Sequence, residues 1–238
     1  MISFKPPPQL PVGYQVSVRN LFGITFLSVL IFVVLGVIIV QLDPTIFGPN
    51  RNRAEALLWF ALLLTTGVLI ATGYVLAWRT PQRWGIIGLT RPEPRWIVVA
   101  VCVGTVLFFL GERADHAFAL GILNDFRTEF KDGLSDQMGL ISLFAARMVL
   151  LPLTLEIYFR GILFNFFAGR FGAEAGLFVS AILFAGLFFR PDLSISMAYG
   201  FIYGLAYGIL FMRTGSLWVS IAAHGTLGAL IVAKAAWG

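Results

Sequence analysis

Apolar residues along the chain gather into separate runs near 20 residues, parted by short polar stretches. At a rise of 1.5 Å per residue, an α-helix of that length spans roughly the 30 Å of a bilayer's hydrocarbon core. Runs over 21–42, 55–78, 96–111, 140–168, 175–189, 195–212 and 216–236 predict about seven transmembrane helices, the third and fifth of them short. The predicted fold is therefore all-α, a polytopic membrane helical bundle. One long connection, 112–139, carries Phe118, Leu120, Ile122, Leu123, Phe126 and Phe130 at near-helical spacing, which predicts a helix lying in the membrane interface. The expected division is an N-terminal tail over 1–20, transmembrane helices over 21–111, the extracytoplasmic loop over 112–139 and a four-helix core over 140–238.

Composition supports this pattern. The chain is 58% hydrophobic and only 12% charged, against about 25% charged in an ordinary soluble domain, so it has too little polar surface to coat itself in water. The first twenty residues hold Pro6, Pro7 and Pro8 but no apolar stretch and no small-residue cleavage site, so the first span is expected to serve as the targeting signal. Cys102 lies within an apolar run; it has no second cysteine for a disulfide within the chain or a zinc-type cluster, and no metal or other cofactor is expected. The net charge of +5 arises from basic residues between the apolar runs, which argues against nucleic acid and for a role in topology. Arg79, Arg83, Arg91 and Arg95 face only Glu93 in the loop after the second run, which places that loop in the cytoplasm, and with it the N-terminus bearing Lys5 and Arg19. Arg170 and Arg213 return to that side, and an odd number of spans puts the C-terminus opposite, whereas merging or splitting the long fourth run would put it on the same side. The expected location is a plasma or inner membrane, with lipids and other integral membrane proteins as partners.

Arg147, Glu156, Arg160, Asn165 and His224 stand within predicted spans, where an ionisable group costs a few kcal/mol and needs a partner or a purpose. His116, isolated in the outer loop, is assigned no role. Glu156 and Arg160, four apart in one helix, share a face within ion-pair reach. A structural pair accounts for both. Counted from the cytoplasmic helix ends, however, Glu156 lies about 20 Å deep and His224 about 12–16 Å deep, so the two can meet at one level. A carboxylate and an imidazole that converge inside a bundle can also activate water, with the glutamate as base and the histidine as acid or hydrogen-bond donor. Gly200, Gly204 and Gly208 form a flat stripe on the sixth span where another helix can approach backbone to backbone, and Tyr199, Tyr203 and Tyr207 run beside it, read as packing.

The stretch Leu155-Glu156-Ile157-Tyr158-Phe159-Arg160-Gly161 resembles the first motif of the CPBP family, the membrane CAAX proteases and bacteriocin-processing enzymes, which reads Glu-Glu-x-x-x-Arg. Phe184 to Phe188 falls where that family has Phe-x-x-x-His. Arg213-Thr214-Gly215-Ser216-Leu217-Trp218, followed by His224-Gly225-Thr226-Leu227-Gly228, looks like its closing motif, His-x-x-x-Asn or His-x-x-x-Asp after a tryptophan-containing helix start. Leu89 to Pro92 is also similar to the family. The resemblance implies an all-helical membrane bundle with an active site opening within the membrane toward the cytosol. It implies peptide-bond hydrolysis by the first glutamate and the motif histidines.

At those positions the chain departs from the motif: the first glutamate is Leu155, the second-motif histidine is Phe188 and the final Asn or Asp is Gly228. Leu155 cannot accept a proton from water, Phe188 can neither coordinate nor donate, and Gly228 cannot polarise an oxyanion. Glu156 cannot simply stand in, because adjacent helix residues point about 100° apart. The changes build an apolar pocket at the old site, which Leu155 and Phe188 fill with packing or which holds a lipid or a partner helix; a Glu156–Arg160 contact with Phe188 packed over the His224 imidazole would leave no room for water or a scissile bond. The leading expectation is a catalytically degenerate family member that binds a membrane client or serves as a subunit of a membrane complex. The competing one is an intramembrane endopeptidase that uses Glu156 and His224. A transporter or channel is disfavoured, since the spans hold no second acidic residue for ion coupling and no paired discontinuous helices.

Overall fold

The computed structural model describes residues 16–48, 52–77, 84–118, 121–189 and 194–238. Lys5, the Pro6 to Pro8 run, Arg79, Arg83 and Leu120 lie outside the described residues. The helices are α1 (Val18–Leu42), α2 (Arg53–Ala77), α3 (Pro94–Ala117), α4 (Ile122–Glu129), α5 (Lys131–Ser135), α6 (Gln137–Phe171), α7 (Ala173–Ala185, continued by a 3₁₀ turn to Phe188), α8 (Ser194–Thr214) and α9 (Leu217–Trp237). Six of them, α1, α2, α3, α6, α8 and α9, are long and apolar enough to cross a membrane, and α7 is a shorter apolar helix. The third span, expected over 96–111, runs to Ala117 because a helix need not stop where its apolar run stops: Glu112 reaches Lys234 of α9 at 3.1 Å. The expected interfacial segment forms α4 and α5, and buries Phe126 and Phe130. Phe118, assigned to the same stripe, is exposed at the end of α3.

The bundle has two defined ends. At one, Arg170 Nη1 donates to the Val16 carbonyl at 2.9 Å and the Leu217 amide to the Gly88 carbonyl at 2.7 Å, while Ser216 Oγ donates to Thr90 O at 2.6 Å. This places the segment after α2 against the start of α9. Gly88, at φ +90°, is needed there, since a Cβ would run into Phe211. At the other end Arg127 of α4 donates to the carbonyls of Lys234 and Ala235, capping the last turn of α9, and Phe144 stacks on Trp237 at 6.2 Å. The last residues therefore lie at the opposite end from Val16. α1 and α3 form the rim, with Phe22 and Phe26 about 70% exposed. α2, α6, α8 and α9 supply most of the interior. Such a surface is a burden in water and suits lipid.

α6 is not a uniform α-helix. It widens into π-helical turns over Ala145–Leu150 and Ile157–Phe164, with a regular turn, Leu151–Glu156, between them. Pro152 explains the first: it has no N–H for the Met148 carbonyl, and its ring would crowd that carbonyl in a regular α-turn. Widening relieves the crowding, and the Leu151 amide donates to Ala146 O. The Arg147 and Met148 carbonyls then face α9, where Gly228 and Gly225 leave room for them. A Cβ at Gly228 would strike the Arg147 oxygen, and one at Gly225 the Met148 oxygen. On its other side α9 meets α3 at Gly104, where a Cβ would strike the Ala223 oxygen and sit 2.8 Å from Thr226 Cβ.

The glycine stripe of α8 is a packing face. A Cβ at Gly204 would sit 2.9 Å from Ala181 Cα of α7, while Gly200 lies against Phe188 and Ala185, and Gly208 against Leu177. Gly228→Ala and Gly204→Ala should each destabilise the protein by about 1–3 kcal/mol, a fall of several degrees in melting temperature in detergent. Gly186→Ala, whose Cβ would meet no atom within 4 Å, should leave it unchanged. Equal melting of all three variants would show that these backbones do not approach as described.

Candidate functional site

Glu156 ends the regular turn of α6 and Arg160 sits one turn on, within the second π-helical stretch; both side chains are fully buried. Arg160 Nη1 donates to Glu156 Oε1 at 3.1 Å, and Nη2 donates to the Gly204 carbonyl of α8 at 2.7 Å. The guanidinium lies over the ring of Phe184 from α7 at 4.6 Å and over that of Tyr207 from α8 at 5.6 Å. His224 of α9 brings Nδ1 within 2.9 Å of the same Glu156 Oε1, where an ionised carboxylate requires the tautomer with Nδ1–H as donor. One carboxylate oxygen thus carries two charge-assisted contacts, from α6 and α9, and α7 and α8 join through the Arg160 guanidinium. Glu156 Oε2, Arg160 Nε and Tyr207 Oη are buried without a hydrogen-bond partner.

Aromatic rings close the imidazole in. Tyr207 stacks on His224 with centroids 4.8 Å apart and planes 13° from parallel, and Phe184 meets it edge to face at 5.8 Å. Of the arrangement that would close the site, the Glu156–Arg160 contact is present, but the rings over His224 are Tyr207 and Phe184 and not Phe188. Phe188 stands one turn farther along α7, in the 3₁₀ turn, and packs on Phe184 at 5.6 Å and Tyr203 at 6.2 Å. The helical spacing of 184 and 188 brings the first ring, not the second, to the level of the imidazole. Leu155 is partly buried against the cluster that contains Phe159, Phe184 and Tyr207. Gly228 lies one turn beyond His224, seated on the Arg147 carbonyl, so its lack of a side chain is also a steric requirement of the α6–α9 contact.

The structure brings together Glu156, Arg160 and His224. The Tyr207 contact was missed, because its spacing with Tyr199 and Tyr203 reads as a packing stripe; the signal available was its position on α8 one turn from Gly204. Asn165, another polar residue of the span, donates locally through Nδ2 to the Gly161 carbonyl at 2.8 Å, while its Oδ1 is buried without a partner. Among the described residues no group of three or more His, Cys, Asp or Glu is placed to hold a metal ion. At this site the two residues of ligating type are Glu156 and His224, and the Glu156 oxygen nearest the imidazole already faces Arg160.

Residues 137–230 match the family model described as Rce1-like, type II CAAX prenyl endopeptidase Rce1-like. The matched segment runs from the start of α6 into α9 and contains every residue of the site. No curated protein and no solved structure matches the chain.

Removing the anion from this cluster leaves a buried guanidinium uncompensated, a loss of about 3–5 kcal/mol for a buried pair. Glu156→Gln should therefore lower the melting temperature in detergent more than His224→Ala, which removes one hydrogen bond and two ring contacts. The opposite order would mean that the pair is not what holds these helices.

Proposed function

With residues 137–230 forming an Rce1-like domain of the CPBP family in a multi-pass integral membrane protein, we propose that the protein is a catalytically silent member of that family that acts by binding, as holder of a membrane client or subunit of a membrane complex. The observation that carries this reading is the state of Glu156. Its carboxylate is fully buried, one oxygen is shared by Arg160 and His224, and the imidazole is covered by Tyr207 and Phe184. A general base needs a water in hydrogen-bond reach and a path for substrate. A carboxylate committed to a guanidinium inside a ring of aromatic side chains serves neither. Leu155, Phe188 and Gly228, at the motif positions of glutamate, histidine and asparagine or aspartate, add no group that takes a proton or polarises a carbonyl.

The competing reading is an endopeptidase that uses Glu156 as base and His224 as its acid or hydrogen-bond partner. It is favoured by the 2.9 Å contact between them, and activity separates the two. Loss of a single catalytic group costs on the order of 10² to 10⁴ in rate, and groups acting as one unit are strongly non-additive. Reconstituted protein should leave prenylated CAAX peptides and leader-type peptides uncut. Leu155→Glu combined with Phe188→His is the informative revertant, because it spares the steric contact at Gly228. Cleavage gained by that variant alone supports a silent site on an intact scaffold. Cleavage by the unmodified protein that disappears in His224→Ala would overturn the proposal, and purification in mild detergent without any stoichiometric membrane partner would remove the subunit form of it.

A further inference from the structure

Arg147 is a cation set inward from the ends of its span that the site does not use. It lies in the first π-helical turn of α6, partly buried, with its guanidinium over the ring of Phe126 from α4 at 5.1 Å. Among the described residues no oxygen accepts a hydrogen bond from that guanidinium, and Nε is buried without a partner. Glu129 is the carboxylate near enough to act on its charge, but it lies toward Arg53, at 3.8 Å. A ring face offsets part of the charge of a guanidinium and accepts none of its in-plane N–H groups.

Depth indicates which acceptor is at hand. Phe144, about one turn before Arg147, stacks on Trp237 at the last turn of α9, so the Arg147 backbone lies roughly 5 Å inside the end of the bundle. Side chains of an α-helix tilt toward its N-terminus, and the N-terminus of α6 is at that end, so the guanidinium rises to the level of the interfacial helices α4 and α5. The next residues of α6, Met148 and Val149, are about half exposed and face outward. Arg147 therefore stands at the headgroup level, beside a lipid-facing flank, with two or more N–H donors to spare. A phosphate oxyanion is the group of that layer that takes a bidentate guanidinium contact.

We infer that Arg147, under Phe126 of α4, anchors a site for the phosphate of an anionic phospholipid in the leaflet on the α4–α5 side. The inference is independent of whether the Glu156 site is silent. Binding of one such lipid would supply the missing acceptor and tie α4 to α6 and α9, which Arg127 already joins through the Lys234 and Ala235 carbonyls.

The test is the melting temperature of the full chain in a neutral detergent, with phosphatidylglycerol or inorganic phosphate added. Phosphatidylglycerol at about 100 times its dissociation constant should raise it by roughly 5 °C in the unmodified protein. Arg113→Gln, which removes an exposed arginine of α3, should keep that increment, and Arg147→Gln should lose it; inorganic phosphate should give none. An equal increment in Arg147→Gln would overturn the site, and an equal increment with inorganic phosphate would overturn the lipid as its source. If Arg147→Gln does not fold, native mass spectrometry of the unmodified protein and of Glu129→Gln decides the matter. One phosphatidylglycerol retained per chain in both supports the inference, and none retained in either overturns it.

Discussion

Everything in the centre of this bundle is arranged around one buried guanidinium. Arg160 has no exposure, and an arginine in that position is tolerated only if its charge and its N–H groups are met by the protein. The anion comes from α6 itself through Glu156, a carbonyl from α8 through Gly204, and ring faces from α7 and α8 through Phe184 and Tyr207. His224 of α9 then joins through the shared carboxylate oxygen. The glycine stripe and the ion pair are parts of one arrangement. The bare Cα at Gly204 lets α7 lie against α8 at Ala181, and the carbonyl of the same residue, turned toward α6, accepts from Arg160. A side chain at 204 would separate α7 from α8 and loosen the enclosure of the guanidinium with it.

The position of His224 follows from a second constraint. α9 is held between α3 and α6 by backbone contacts at three glycines: Gly104 under Ala223, Gly225 on Met148 and Gly228 on Arg147. The carbonyls that face the last two belong to a π-helical turn whose cause is Pro152. His224 thus projects from a helix whose height and rotation are set on both sides, and that is why an imidazole remote in sequence arrives 2.9 Å from Glu156. Van der Waals contact and direct hydrogen bonds do this ordering, since in lipid there is no hydrophobic gain from bringing helices together.

Much of this layout could be read from the sequence, because the bilayer restricts the alternatives. Run length gave the spans, and the i, i+4 spacing gave the Glu156–Arg160 pair. Comparable depth from the helix ends brought His224 near the level of Glu156. The rest depended on helix rotation, which run length does not encode. Tyr207, read as part of a packing stripe, lies on the imidazole for that reason, and Phe188 does not. The residue over the imidazole is decided by which face α7 and α8 turn inward, and that depends on glycine contacts along their whole length. The π-helical turns were hidden as well, since Pro152 within an apolar run announces a break in hydrogen bonding but not whether the helix kinks or widens. Gly228 read as a missing polar group, whereas in the fold it is also the space that the Arg147 carbonyl occupies.

These contacts also explain how a bundle whose residues 137–230 match the Rce1-like model can stand without a carboxylate at position 155. Leu155 and Glu156 are neighbours in sequence but point about 100° apart, so they serve different surroundings. Glu156 neutralises Arg160 and receives His224; Leu155 rests, partly buried, on the cluster of Phe159, Phe184 and Tyr207. The residue that holds the fold together is thus separate from the one aligned with the first glutamate of the motif that the segment resembles, and an apolar side chain at 155 leaves the ion pair, the Gly204 contact and the α9 seating untouched. An apolar residue there also removes the need to bring water to that depth, which a carboxylate in the same place would impose. On the proposed reading, the scaffold and the chemistry of this site rest on different side chains, and only the scaffold's are kept.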